Sequence, residues 1–169
     1  MFSLFRSKSA AVDTALVDQL IAFVRGTGLE VREAPTPADT FLPGLLIEQG
    51  QLVVDRRRLR YPGDILHEAG HLAVVPAAER AGLGSNIAHY RTESEAQGDE
   101  IAAQLWSYAA ILAIGLPATV VFHSEGYHGH SEWLTGSYAS GVYPGLPLLV
   151  WMGLTTAESF PQMTRWLRA

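Results

Sequence analysis

The chain has no cysteine among its 169 residues. Disulfides are therefore excluded, and so is any metal site built on thiolates, leaving imidazole and carboxylate as the donors for a bound ion. Positive charge is also scarce. Twelve Lys and Arg stand against 17 Asp and Glu, a formal net charge of −5 at pH 7, which argues against generic nucleic-acid binding. No internal repeat or low-complexity block appears. Met1 to Lys8 contains Phe2, Leu4 and Phe5 but no continuous apolar core of the kind secretory signals carry, so a cytoplasmic location is expected. The length suits one domain spanning residues 1–169.

Charge itself is missing from Ile101 to Phe122, long enough to raise a membrane-spanning alternative. Gln104, Ser107, Gly115, Pro117 and Thr119 interrupt that run, however, and a second apolar stretch, Gly141 to Ala157, contains Pro144 and Pro147. Both read as buried elements of a soluble domain. Ahead of them, Val12, Leu16, Leu20, Ile21 and Val24 recur at helical spacing, closed by Gly26 and Gly28. Leu29 to Glu33 alternates as a half-buried strand does, Pro35, Pro37 and Pro43 mark a loop, and Leu45–Glu48 and Leu52–Asp55 flank Gln49-Gly50-Gln51 as a hairpin. The expected class is α+β, with a short antiparallel sheet.

His67-Glu68-Ala69-Gly70-His71 is the stretch that names a chemistry. Two histidines four apart lie one helical turn from each other on one face, where both rings reach a single ion. The intervening Glu68 is placed as general base for a metal-activated water. Pro62 and Asp64 suit a helix start, Ile65, Leu66, Ala69, Leu72 and Ala73 sustain the period, and Pro76 marks the stop. Gly70 costs that helix about 1 kcal/mol relative to alanine, a cost that close approach of another backbone or of a substrate would explain.

A hydrolytic zinc site takes three protein ligands and keeps one position open. Val74 and Ala77 stand where metzincins need glycine and histidine. A further helix is expected from a cap at Thr92 or Ser94 to about Ile114, with positions 95, 98, 102, 105, 109 and 112 as its core stripe and Gln97, Glu100, Gln104 and Ser107 on the solvated face. Glu95, on that stripe, is the leading third ligand. Asp99, Glu100 and His89 are the alternatives, and Thr92 with Glu95 also spells a capping box that would use the same carboxylate.

The pentad followed by Glu95 and Asp99, one turn apart, resembles the gluzincin arrangement of zincin metallopeptidases. Glu95, Gly98, Ile101, Ala102 and Ala103 also resemble the ImmA/IrrE-type peptidases. The run His-Glu-Ala-Gly-His-Leu-Ala-Val is similar to the active-site helix of membrane-anchored ATP-dependent zinc proteases, in which the third ligand is an aspartate. The resemblance covers about residues 45–114. It implies a small zincin-like domain, one Zn2+ held by His67, His71 and Glu95, Asp99 orienting the first histidine, and a peptide or protein substrate, which an added strand along the hairpin edge would accommodate. The alternative is a non-catalytic zinc-binding regulatory or interaction module.

Two further segments are rich in functional side chains. His123, Glu125, Tyr127, His128, His130 and Glu132 crowd one stretch, with Tyr127 and His128 the candidates for oxyanion or substrate contact, unless the stretch is an ordinary polar loop or binds a second metal. Arg56, Arg57, Arg58 and Arg60 form the one dense basic run, either a solvated strand end or a recogniser of carboxylate or phosphate.

Overall fold

A computed structural model describes residues 13–84 and 92–169. The expectations for Met1–Lys8, Val12, Ser85, Asn86 and His89 fall outside them. Among the described residues, six α-helices and a three-stranded mixed sheet make a small α+β domain.

Helix α1 (Thr14–Gly26) begins where the Asp13 carboxylate accepts the amides of Ala15 and Leu16, and it buries Val17, Leu20, Ile21 and Val24. Strands β1 (Val31–Glu33), β2 (Leu45–Glu48) and β3 (Gln51–Val54) form a sheet in the order β1-β3-β2. The β2–β3 hairpin is antiparallel, turning through Gln49 and Gly50, both at positive φ, as a tight two-residue turn requires. The wholly antiparallel sheet expected from the sequence is corrected: β1 runs parallel to β3, with Val31 opposite Leu52. The hairpin occupies one edge of β3, and the segment from Ala34 through β2 supplies the long connection that a parallel pair needs.

Helix α2 (Asp64–Val74) lies under the sheet and carries the pentad, nearly every position of it buried. Val75 leaves the helix in extended conformation ahead of Pro76, as the residue before a proline must. The last carbonyls of the helix find donors from far away in sequence. Arg80 donates to the Leu72 and Val75 carbonyls at 2.8 and 3.0 Å, and the Arg168 amide donates to the Ala73 carbonyl at 2.9 Å. The short helix α3 (Ala77–Arg80) delivers that arginine. The closing segment is held by Trp166, whose ring meets Phe23 and Trp106 edge-on and whose carbonyl accepts Trp106 Nε1 at 2.9 Å.

Helix α4 (Glu93–Ile114) packs against α2. A Cβ on Gly70 would stand 2.8 Å from the Ala103 carbonyl oxygen, so the two backbones come this close only because residue 70 is glycine. The same applies at the start of α2, where Gly63 lies directly against the Val120 carbonyl in the 3-10 turn Ala118–Val120. Gly115, at φ 80°, ends α4 in a left-handed cap. Helices α5 (Ser131–Ala139) and α6 (Leu146–Trp151) follow. No helix among the described residues is long and apolar enough to cross a membrane.

Candidate metal centre

On α2 the two imidazoles stand edge to face, with Nε2 of His67 and Nε2 of His71 3.1 Å apart. The third donor comes from α4: Glu100 Oε2 lies 3.1 Å from His71 Nε2 and 3.7 Å from His67 Nε2. Four ligands arranged tetrahedrally around zinc at 2.0–2.1 Å are separated by about 3.3–3.4 Å. Edges of 3.1, 3.1 and 3.7 Å therefore match one face of such a site, and the chemistry of the set, two neutral imidazoles and a carboxylate, suits zinc. Glu68 completes the cluster, with His67, Glu68 and His71 offering donor atoms within 4.8 Å of one another.

The site's electrostatics follow from burial and from these neighbours. Burial, helped by the adjacent His71, pulls the His67 ring down to about pKa 4, against the opposing pull of Glu100. That ring is neutral and ready to ligate at any physiological pH. At His71 burial acts in the same downward sense, but the hydrogen bond to Glu100 and the charges of Glu68, Glu100 and Asp99 outweigh it and raise the pKa. Burial alone would raise Glu100; its hydrogen bond to His71 and the two rings instead hold the carboxyl at about 2. Burial pushes Glu68 up, the direction a general base needs.

Glu95, expected as the third ligand, does not stand beside the histidines. Its carboxylate accepts the Thr92 amide at 2.9 Å and the Thr92 hydroxyl at 2.8 Å, forming the capping box that the sequence also allowed. The reason is rotational. Ala103, packed on Gly70, fixes which face of α4 meets α2, and Ala96, Glu100 and Gln104 follow one another at four-residue spacing along the adjoining cleft-lining stripe. Glu95 is exposed, and Ser107, read as solvated, is fully buried. Gln104 Nε2 donates to the other oxygen of Glu100 at 2.8 Å and steadies it.

Asp99 is buried, and its charge is felt at His71. The partner of the first histidine is a different residue: the Tyr127 hydroxyl lies 3.3 Å from His67 Nδ1. Tyr127, expected as an oxyanion or substrate contact, thus addresses the ring nitrogen remote from the Nε2 pair. It sits in a left-handed conformation, φ 56°, as does His128 at φ 51°, uncommon for residues with side chains. His128 lines the cleft.

The loop that carries Tyr127 is held to α2 by a pair unforeseen in the sequence, where Asp64 read only as a helix-start charge. His123 Nε2 lies 3.0 Å from Asp64 Oδ1, and the His123 ring stacks on Tyr61 at 3.9 Å between centroids. Ser131 Oγ donates to the His123 carbonyl at 2.6 Å. These elements enclose a cleft of 1270 Å³, walled by α2 and α4 on one side and by residues 123–134 on the other, with Phe41 and Arg60 also lining it. No protein-family model, curated protein or solved structure matches this chain.

Proposed function

We propose that this chain is a zinc-dependent metallohydrolase, a peptidase on a zincin-like domain. The observation that carries the reading is the convergence of His67 Nε2, His71 Nε2 and Glu100 Oε2 at tetrahedral-edge spacing on the wall of an open cleft, with Glu68 alongside. His67, His71 and Glu100 would hold the ion. Zinc bound there supplies a Lewis acid that polarises a carbonyl and lowers the pKa of water toward 7.

The protein's own part is proton transfer and orientation. Glu68, in a buried setting that raises its proton affinity, takes the proton of the attacking water and returns it to the leaving amine. With His67 in its Nδ1–H tautomer, that N–H donates a hydrogen bond to the Tyr127 hydroxyl oxygen and leaves the Nε2 lone pair for the metal. Gln104 fixes the carboxylate of Glu100. A non-catalytic module would close its site with a fourth ligand, whereas with Glu68 kept as the base, His67, His71 and Glu100 make a three-ligand set on the wall of an open cleft.

The test is Glu68→Gln. Metal analysis should find one zinc per chain in both proteins, while hydrolysis of a quenched-fluorescence peptide library should fall by at least about 100-fold in the variant. Undiminished turnover would overturn the mechanism. Iron in place of zinc would redirect the chemistry, because a two-histidine, one-carboxylate set also suits ferrous iron.

A further inference from the structure

The basic run has divided duties. Arg56 pairs with Glu33 and Asp18, and Arg58 donates to the Ala38 carbonyl at 3.0 Å. Arg60 does neither. Its guanidinium lies over the Tyr61 ring, 5.3 Å from the centroid, and meets no carboxylate or carbonyl among the described residues. It is also the only Lys or Arg among the described residues lining the cleft, whose other ionisable walls include Asp64, Glu68, Glu100 and Glu125.

A cation without an ion pair on the wall of such a cleft is a candidate recognition element for an anionic group of a bound ligand. Arg60 is preorganised for that task. Its guanidinium rests on Tyr61, Tyr61 stacks on His123, and His123 bonds Asp64 at the start of α2, so the arginine is tied through side chains to the helix that bears the histidines. The cleft it lines also carries exposed apolar groups. Phe41 is 91% exposed and Trp133 59% exposed, and Leu42 and Pro43 line the cleft with them. Large aromatics left in water at a cleft mark a ligand with an apolar body, which separates a peptide from a small inorganic anion.

We infer that Arg60 is a specificity-determining residue that holds a carboxylate of an otherwise apolar peptide in the cleft, through a bidentate guanidinium–carboxylate contact. The inference rests on the hydrolase reading and names its substrate class. The carboxylate has two possible sources, a free chain terminus or an acidic side chain.

Binding to the Glu68→Gln protein separates this inference from catalysis. Three probes are titrated calorimetrically, with and without zinc: acetyl-Gly-Phe-Gly-Leu as the free acid, the same peptide as the amide, and an amide carrying an added aspartate before its last residue. At least one carboxylate probe should bind about 5- to 10-fold tighter than the plain amide, the scale of a bidentate pair at a partly exposed site. A preference for the free acid assigns a chain terminus, and a preference for the aspartyl amide assigns a side chain. Adding Arg60→Gln should bring the ratio close to one, and Arg60→Lys should restore part of it. The inference is overturned by equal affinities, by no binding of any probe, or by a preference that survives Arg60→Gln, since the carboxylate would then be meeting the metal. Selective binding without turnover in the wild-type chain would overturn the hydrolase reading alone.

Discussion

One wall of the cleft is two helices in backbone contact, and the other is a loop fastened by side chains. On the first wall, Gly70 lets α4 settle closely on α2, and in that packing Glu100 rather than Glu95 faces the histidines. On the second, Asp64, His123 and Ser131 hold a segment in which Tyr127 and His128 adopt left-handed backbone. Packed backbones have no cheap alternative arrangement, whereas hydrogen-bonded loops can be retuned one side chain at a time. The helical wall therefore fixes the positions of His67, His71 and Glu100, and on the proposed reading the loop wall would adjust their basicity and what enters.

The largest effect is expected on the helical wall. Glu100→Gln should weaken zinc binding by more than about 100-fold, beyond the 10- to 100-fold typical of groups that merely orient a ligand. Glu95→Gln should leave zinc affinity unchanged and cost the fold less than about 1 kcal/mol, because glutamine also serves the capping box and only the charge near the helix N-terminus is lost. Competition with a chromophoric chelator measures both, and the reverse ranking would restore the sequence-based assignment.

Next in size is the contact that sets the rotation. Gly70→Ala places a methyl 2.8 Å from a backbone oxygen, a clash that only movement of α4 relieves. Overpacking of this kind costs about 1–3 kcal/mol, partly offset by about 1 kcal/mol of helix propensity. Gly98→Ala, whose Cβ meets nothing within 4 Å, receives the propensity gain alone. Urea midpoints should thus move in opposite directions. Zinc affinity should fall only in the first variant, because Glu100 rides on the displaced helix.

The same contact explains what the sequence could disclose. The pentad's helix was legible because period, Asp64 and Pro76 agree, and Gly70 already implied a close neighbour. The Thr92 cap was legible too, since a capping box is local. Glu100 was legible only as an alternative to Glu95, because α4 is buried on most sides from Asp99 to Ile111 and its apolar pattern carries little information about rotation. The clue lay in Ala103, the small residue on which Gly70 packs. The parallel pairing of β1 and the Asp64–His123 bond join positions far apart in sequence, and no local pattern encodes such partners.

The smallest effect belongs to the loop wall. Tyr127→Phe removes one hydroxyl from His67 Nδ1 while keeping the ring, which packs 4.9 Å from Phe122 and 5.5 Å from His67 between centroids. The bond is long at 3.3 Å, and His67 already owes its low proton affinity chiefly to burial. Losing it should weaken zinc by about 10-fold, the low end for orienting partners, with folding stability changed by less than about 1 kcal/mol. A drop as large as that of Glu100→Gln would mean that the loop helps to fix the ligand set, and the division between the two walls would fail. No drop at all would mean that helix packing alone orients His67, leaving the left-handed turn at Tyr127 to serve the cleft rather than the metal.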